Sequence, residues 1–265
     1  MQIINAENID FKYNGEKALD DINLKINESD FLTILGPNGS GKSTLLKILA
    51  RINDIQTGSL IVNGHYISNY ESSQYAKIFS YVPPDIYTPY NFSVLEIVIM
   101  GRAPYLKWWE DYPSKDKSLA LEILENMRIS HLAGRSINSL SSGEKQLVFI
   151  AQALVQNPKI LVLDEPTSHL DIKYKMEIFG LLDKMRKNKK ITIIIASHDI
   201  NLVSLYANKA LLLNKGKQIF FGRAQEGLTA DNICRTYEIQ DKTKIDAMFR
   251  LCKTITVPFG RSDLS

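Results

Sequence analysis

Phe31-Leu32-Thr33-Ile34-Leu35-Gly36-Pro37-Asn38-Gly39-Ser40-Gly41-Lys42-Ser43-Thr44-Leu45-Leu46-Lys47-Ile48-Leu49-Ala50 carries three signals in a row. Phe31 to Leu35 is an apolar run of buried-strand type. Ser43 to Ala50 has helical character. Between them, Gly36, Gly41, Lys42 and Ser43 stand at the fixed places of G-x-x-x-x-G-K-[ST]. The spacing follows from phosphate chemistry. Glycines let backbone N–H groups turn inward around phosphate oxygens. The helix that follows points its positive N-terminal end at the same anion. Lys42 adds a point charge toward the β- and γ-phosphates, and the Ser43 hydroxyl is offered to Mg²⁺. Gly36, Pro37, Asn38, Gly39, Ser40, Gly41, Lys42, Ser43 and Thr44 are therefore the candidate nucleotide-binding loop.

Outward from this loop the chain reads as α/β. Before it, Phe11-Lys12-Tyr13 alternates, Asn14-Gly15 reads as a turn, and Ile22-Asn23-Leu24-Lys25-Ile26 alternates again. A further strand pair is expected around Ser59 to Gly64. From 85 to 156 strand signals give way to helix-like segments, Val94 to Met100 and Ser118 to Met127, joined by the loop Pro104 to Pro113. This reads as a helical lobe inserted into an α/β core. Ile160 to Leu163 and Ile191 to Ala196 then return to apolar, β-branched runs suited to central parallel strands, with Ile172 to Arg186 as the crossover helix between them. The expected division is a core with a β subdomain (1–84 and 157–222), a helical subdomain (85–156) and a C-terminal tail (223–265).

Two strand ends carry chemistry. Ile160-Leu161-Val162-Leu163 runs into Asp164-Glu165, where a Mg²⁺-binding acid (Asp164) and a residue that polarises water (Glu165) are expected. The strand Ile191 to Ala196 ends in Ser197-His198-Asp199. His198 there either meets the γ-phosphate or water, or is an ordinary surface or core histidine. Leu140-Ser141-Ser142-Gly143-Glu144 precedes a helical run, Lys145 to Val155. Spacing alone favours an N-cap over a second anion site.

Composition sets wide bounds. The chain has 265 residues, 45% apolar and 23% charged, and a net charge of +3, which by itself points to no nucleic-acid partner. Two cysteines, Cys234 and Cys252, make a disulfide framework unlikely and a reducing cytoplasm the simpler reading. No signal-peptide pattern opens the sequence, and no apolar run approaches the ~20 residues that span a bilayer. Any membrane role is expected to come through a partner.

Taken together, these motifs resemble the ATP-binding cassette (ABC) family of transport ATPases, in the family's order, from Tyr13 to about Gly222. Leu140-Ser141-Ser142-Gly143-Glu144, similar to the family signature loop, is the most specific of them. The resemblance implies a P-loop NTPase core with a parallel sheet, an N-terminal antiparallel β subdomain and an inserted α-helical subdomain. It implies that Tyr13 stacks on adenine, that ATP and Mg²⁺ are the cofactors, and that Glu165 is the catalytic base with His198 as the switch histidine. It implies a head-to-tail homodimer in which Ser141, Ser142 and Gly143 of one subunit close on the nucleotide of the other, which reverses the cap-only preference. Ser168-His169-Leu170-Asp171 resembles the loop that communicates between subunits. Further implied are transmembrane permease subunits, indirect work with a substrate-binding protein, and a place on the cytoplasmic face of the membrane.

Thr167 to Asp171, Met100-Gly101-Arg102-Ala103-Pro104 and Phe92-Ser93-Val94-Leu95-Glu96 are similar to importer subunits for iron-siderophore complexes, haem or cobalamin. Importers of oxyanions such as molybdate share some of these features. An exporter subunit and a soluble ABC protein of translation or DNA repair are the further readings. The latter usually carries two cassettes or a long coiled-coil insertion, which this chain lacks. A small-molecule kinase gives the signature segment no role. The sequence departs from the family at Pro84, where a glutamine normally reaches Mg²⁺ and water; Asp85 is the residue expected to supply an oxygen instead. Ser142 stands for a usual glycine and Glu144 for a frequent glutamine. The basic run Lys184 to Lys190 reads as a solvated helix end. Trp108 and Trp109 read equally as core or as an interface.

Overall fold

A computed structural model describes residues 1–84, 88–168, 170–243, 245 and 247. Asp85, His169 and Cys252 lie outside the described residues.

Two long strands open the chain, β1 (Gln2–Tyr13) and β2 (Glu16–Asn27), paired antiparallel across the turn at Asn14-Gly15. Next come β3 (Phe31–Leu35), α1 (Lys42–Leu49), β4 (Thr57–Val62), β5 (His65–Tyr66), α2 (Ser72–Ile78) and β6 (Phe79–Val82). The helical part follows with α3 (Val94–Ile99), a 3-10 stretch (Met100–Tyr105), α4 (Ser114–Asn126) and α5 (Ser142–Val155). The chain then returns through β7 (Ile160–Asp164), α6 (Ile172–Lys189), β8 (Thr192–Ala196), α7 (Ile200–Tyr206), β9 (Lys209–Asn214) and β10 (Lys217–Arg223). Short helices α8 (Ala224–Gly227) and α9 (Ala230–Tyr237) begin the tail and pack on β9 and β10.

Among the described residues the strands form one 10-stranded sheet in the order β5-β4-β1-β2-β10-β9-β3-β8-β7-β6. β9, β3, β8, β7 and β6 run parallel, whereas β5, β4, β1 and β2 are antiparallel. Residues in β3, β7 and β8 are all buried, because both faces of this parallel part are covered. Alternation then sorts the side chains between two cores. Phe31, Leu35, Leu161, Leu163, Ile193 and Ile195 face the helices α3 to α6. Leu32, Ile34, Val162 and Ile194 face α1 and the antiparallel strands.

The sequence placed the main elements and missed their ends. α4 starts at Ser114 and α5 at Ser142, both earlier than the apolar periodicity indicated, because the first turns are polar and the apolar pattern begins later.

The turn into α1 depends on Gly41. Its φ is 103°, and a Cβ there would lie 2.6 Å from the Ala18 carbonyl oxygen. Gly41→Ala is expected to destabilise the protein by about 1–3 kcal/mol, since left-handed strain and a backbone clash add. Chemical denaturation of the parent and variant checks this; equal midpoints would show that the loop relaxes freely.

Candidate nucleotide and metal site

The site lies at the carboxyl ends of the parallel strands, where α/β sheets hold ligands. Register explains why three distant segments meet there. Ile34 pairs with Ala196, and Ala196 pairs with Asp164, so β3, β8 and β7 end in one row. One or two residues past that row come Gly36, His198 and Glu165. Backbone bonds hold the row closed: Ser197 N–H donates to Ile34 O (3.2 Å) and Glu165 N–H to Ala196 O (3.0 Å).

Gly36 to Thr44 wraps from β3 into α1. A Cβ on Gly36 would meet the Leu213 carbonyl oxygen at 2.1 Å, so β9 presses directly on the loop's first residue. Lys42 is buried, and its ammonium donates to the Gly36 and Pro37 carbonyls at 2.9 and 3.0 Å. Burial pulls the Lys42 pKa below the ordinary lysine value, and the nearby charges of Glu165 and Asp164 oppose that shift. Pro37 is half-buried, and Asn38 and Gly39 are exposed at the loop tip.

Asp164 is fully buried. Desolvation raises its pKa, while the Ser43 and Tyr81 hydroxyls and Lys42 pull it down and Glu165 pushes it up. The Tyr81 hydroxyl donates to Asp164 Oδ2 at 3.2 Å. Burial above all, then the charge and hydrogen bond of Asp164, pushes Tyr81 well above the ordinary tyrosine range, which keeps it a donor. The Ser43 hydroxyl sits beside the carboxylate, yet Oδ1 makes no hydrogen bond of proper geometry and is buried. A buried, unpaired carboxylate oxygen next to a hydroxyl fits a hard cation with oxygen ligands. Ser40 Oγ in the loop is likewise buried without a partner.

Glu165 has a positive φ of 48°, rare for a non-glycine residue. Ser168 supports the turn by donating N–H and hydroxyl hydrogen bonds to Glu165 O. His198 Nε2 lies 2.6 Å from Glu165 Oε1. This contact joins two residues that the sequence had placed at separate strand ends. Tyr13, at the far end of β1, is half-exposed; Asn53 donates to its hydroxyl at 2.8 Å.

Ser141 caps α5. Its hydroxyl accepts from Glu144 N–H, and the Glu144 carboxylate accepts from the Ser141 N–H (2.9 Å) and hydroxyl (2.7 Å). The cap expected from spacing is thus present. Ser141 and Ser142 are exposed, while Gly143 is buried against the Tyr174 ring, which a Cβ would approach to 2.8 Å. Pro84 is exposed just past β6. The two tryptophans are not core: Trp108 is 91% and Trp109 62% exposed.

Two contacts had no signal in the sequence. One is the Tyr81 hydroxyl on Asp164. The other is Tyr237 of α9, whose hydroxyl is buried near the Gly36 backbone without a hydrogen bond of proper geometry. Burial raises its pKa and the Gly36 backbone opposes the shift.

Fold and site define a P-loop nucleotide-hydrolysing protein. The family model described as ABC transporter matches residues 19–168, more than half of the chain. An iron(3+)-hydroxamate import ATP-binding protein of Bacillus subtilis is 32% identical over 246 residues, covering 93% of this chain and 91% of its own. A molybdate import ATP-binding protein of Haemophilus influenzae is 35% identical over 237 residues, covering 89% and 88%. Among solved structures, an inward-facing transporter assigned to the metal-chelate type superposes with a TM-score of 0.80 at 34% identity, covering 89% of each chain. A dimeric ATP-binding cassette in a post-hydrolysis state with ADP and phosphate gives a TM-score of 0.71 at 26% identity, covering 84% of this chain and 99% of that one. The chain belongs to the ABC transporter family and is an ATP-binding, ATP-hydrolysing subunit of that family. No helix among the described residues is long and apolar enough to cross a membrane.

Proposed function

We propose that this chain powers an importer of metal chelates of the iron-siderophore, haem or cobalamin type. In this reading it works as a head-to-tail homodimer on the cytoplasmic face of the membrane, held there by transmembrane permease subunits and served indirectly by a substrate-binding protein. The observation that carries the ATPase half is the convergence of Lys42, Asp164, Glu165 and His198 at the carboxyl ends of three neighbouring strands. The importer half is supported by similarity to the iron-hydroxamate subunit over nearly the whole chain. Similarity to the molybdate subunit keeps an oxyanion importer as the second reading.

Each site residue receives a role. Gly36 to Thr44 cradles the phosphates, and Tyr13 takes the adenine. Asp164 and Ser43 hold Mg²⁺, which supplies charge neutralisation on the phosphate oxygens when bound. Glu165 accepts the proton of the attacking water and His198 orients that carboxylate. Ser141, Ser142 and Gly143 of the second copy close over the nucleotide. We further read the chain as an α/β core with β subdomain (1–84 and 157–222), a helical subdomain (85–156) and a tail (223–265). Reconstitution with its copurified permease and binding protein, assayed for ATP-driven uptake of iron-siderophore against molybdate, tests the substrate class. Molybdate-only uptake removes the chelate reading.

Trp108 and Trp109 are assigned to the permease contact. The base of their loop is fixed: Arg102 pairs with Asp116 (3.0 Å), donates to Val155 O, and lies 3.8 Å over the Tyr105 ring. The tip then presents two indoles to solvent. Exposed tryptophans on a rigid base suit an interface anchor. Trp108→Ala/Trp109→Ala is expected to leave ATP hydrolysis by the isolated subunit unchanged. It should weaken permease binding by about 2 kcal/mol or more, roughly thirtyfold. Copurification at parent yield and affinity removes this assignment.

A further inference from the structure

We propose that Tyr81 is the positioning residue for Asp164, fixing one carboxylate oxygen so that the other is presented to the divalent cation. The inference rests on the metal reading given above and adds to it a residue outside the phosphate loop and strand end.

Strand register places the tyrosine. Tyr81 pairs with Val162 in the parallel β6–β7 ladder, and Asp164 is two residues further along β7. Side chains alternate along a strand, so Tyr81, Val162 and Asp164 share one face of the sheet. That is the face on which α1 packs, because Val162 lies in the same core as Leu45 and Leu46. From there the phenol reaches diagonally to Asp164 Oδ2 at 3.2 Å.

The two carboxylate oxygens end up unequal. Oδ2 accepts the Tyr81 hydroxyl, whereas Oδ1 is buried with no hydrogen-bond partner. A carboxylate that can rotate presents either oxygen to a cation. One that is pinned at Oδ2 presents Oδ1 alone, and ligating carboxylates are commonly held by such outer hydrogen bonds. Ser43 is less suited to act as the anchor, because its hydroxyl is itself needed by the cation in this site. Pro84 cannot share that role either. It is exposed two residues beyond that strand and has neither an amide side chain nor a backbone N–H. β6 therefore supplies its donor from inside the sheet, through Tyr81.

The test uses Mn²⁺ as the probe, titrated into the full chain with stoichiometric ADP, with free Mn²⁺ read by its EPR signal. Tyr81→Phe removes the hydroxyl and keeps the ring. Its apparent Mn²⁺ affinity is expected to be about tenfold weaker, the usual cost of losing an outer partner of a metal ligand. ADP affinity in excess EDTA should equal that of the parent, since the phosphate loop is untouched. Tyr81→Leu should give the same pair of results. Parent-like Mn²⁺ affinity in either variant overturns the inference. So does an equal loss of ADP affinity in EDTA, which marks a general packing role. Asp164→Asn keeps the metal reading separate: if it binds Mn²⁺ as the parent does, Asp164 is not the metal's ligand, whatever Tyr81 does.

Discussion

Glu165→Gln is expected to lower ATP turnover by about 10²–10⁴-fold while ATP still binds. The amide keeps the size of the carboxylate and still offers an oxygen to His198 Nε2, 2.6 Å away in the parent. It cannot take a proton from water. The two adjacent acids serve different groups: the Tyr81 hydroxyl donates to Asp164, and His198 meets Glu165. Asp164 stays buried against Tyr81, and Glu165 leaves the sheet toward His198. Binding is expected to persist because Lys42 and the loop are intact. The substitution also removes a negative charge close enough to act on Lys42, so repulsion of the triphosphate falls. Binding without turnover should accumulate the closed dimer, visible by size exclusion in ATP. Hydrolysis at the parent rate would falsify the assignment of Glu165 as base.

How much of this was legible beforehand depends on how local each feature is. The strand, loop and helix from Phe31 to Ala50 are contiguous, and each part constrains the next, so the phosphate loop was readable without tertiary information. Asp164-Glu165 was readable as a strand end, but the separate partners of the two acids were not. They depend on tertiary neighbours, Tyr81 for Asp164 and His198 for Glu165. The Glu165–His198 pair was likewise hidden, because two separate strand ends become neighbours only through the β7–β8 register. Tyr81 carried no signal of its own in the sequence, and Tyr237 fell in the C-terminal tail. The Tyr81 hydroxyl reaches across to the neighbouring strand, and that of Tyr237 is buried near the Gly36 backbone, placements that only the tertiary fold creates. Trp108 and Trp109 were ambiguous because sequence cannot tell a buried aromatic pair from a displayed one. The answer came from the Arg102 network, which fixes the loop base and leaves its tip outside.

Lys42→Ala is expected to abolish measurable ATP binding or turnover. The ammonium has three protons, and the Gly36 and Pro37 carbonyls use two of them at 2.9 and 3.0 Å. The third is available to a phosphate oxygen. Removing one member of a buried, hydrogen-bonded charge pair costs about 2–5 kcal/mol, or roughly 30- to several-thousand-fold in affinity. The nearby acids sharpen the effect. Asp164 and Glu165 are close enough to influence Lys42, so a triphosphate arriving without the lysine meets their negative charge without the lysine's to offset it. The protein without nucleotide should behave differently. Burial of the Lys42 cation opposes its two carbonyl hydrogen bonds and its attraction to Glu165 and Asp164, so the variant's melting temperature without nucleotide is expected to stay close to the parent's. The two halves separate a binding role from a folding role. ATP should raise the melting temperature of the parent and leave that of Lys42→Ala where it is. An ATP-induced shift equal to the parent's shows that the backbone cradle and the α1 N-terminus suffice, and that the lysine's charge is dispensable.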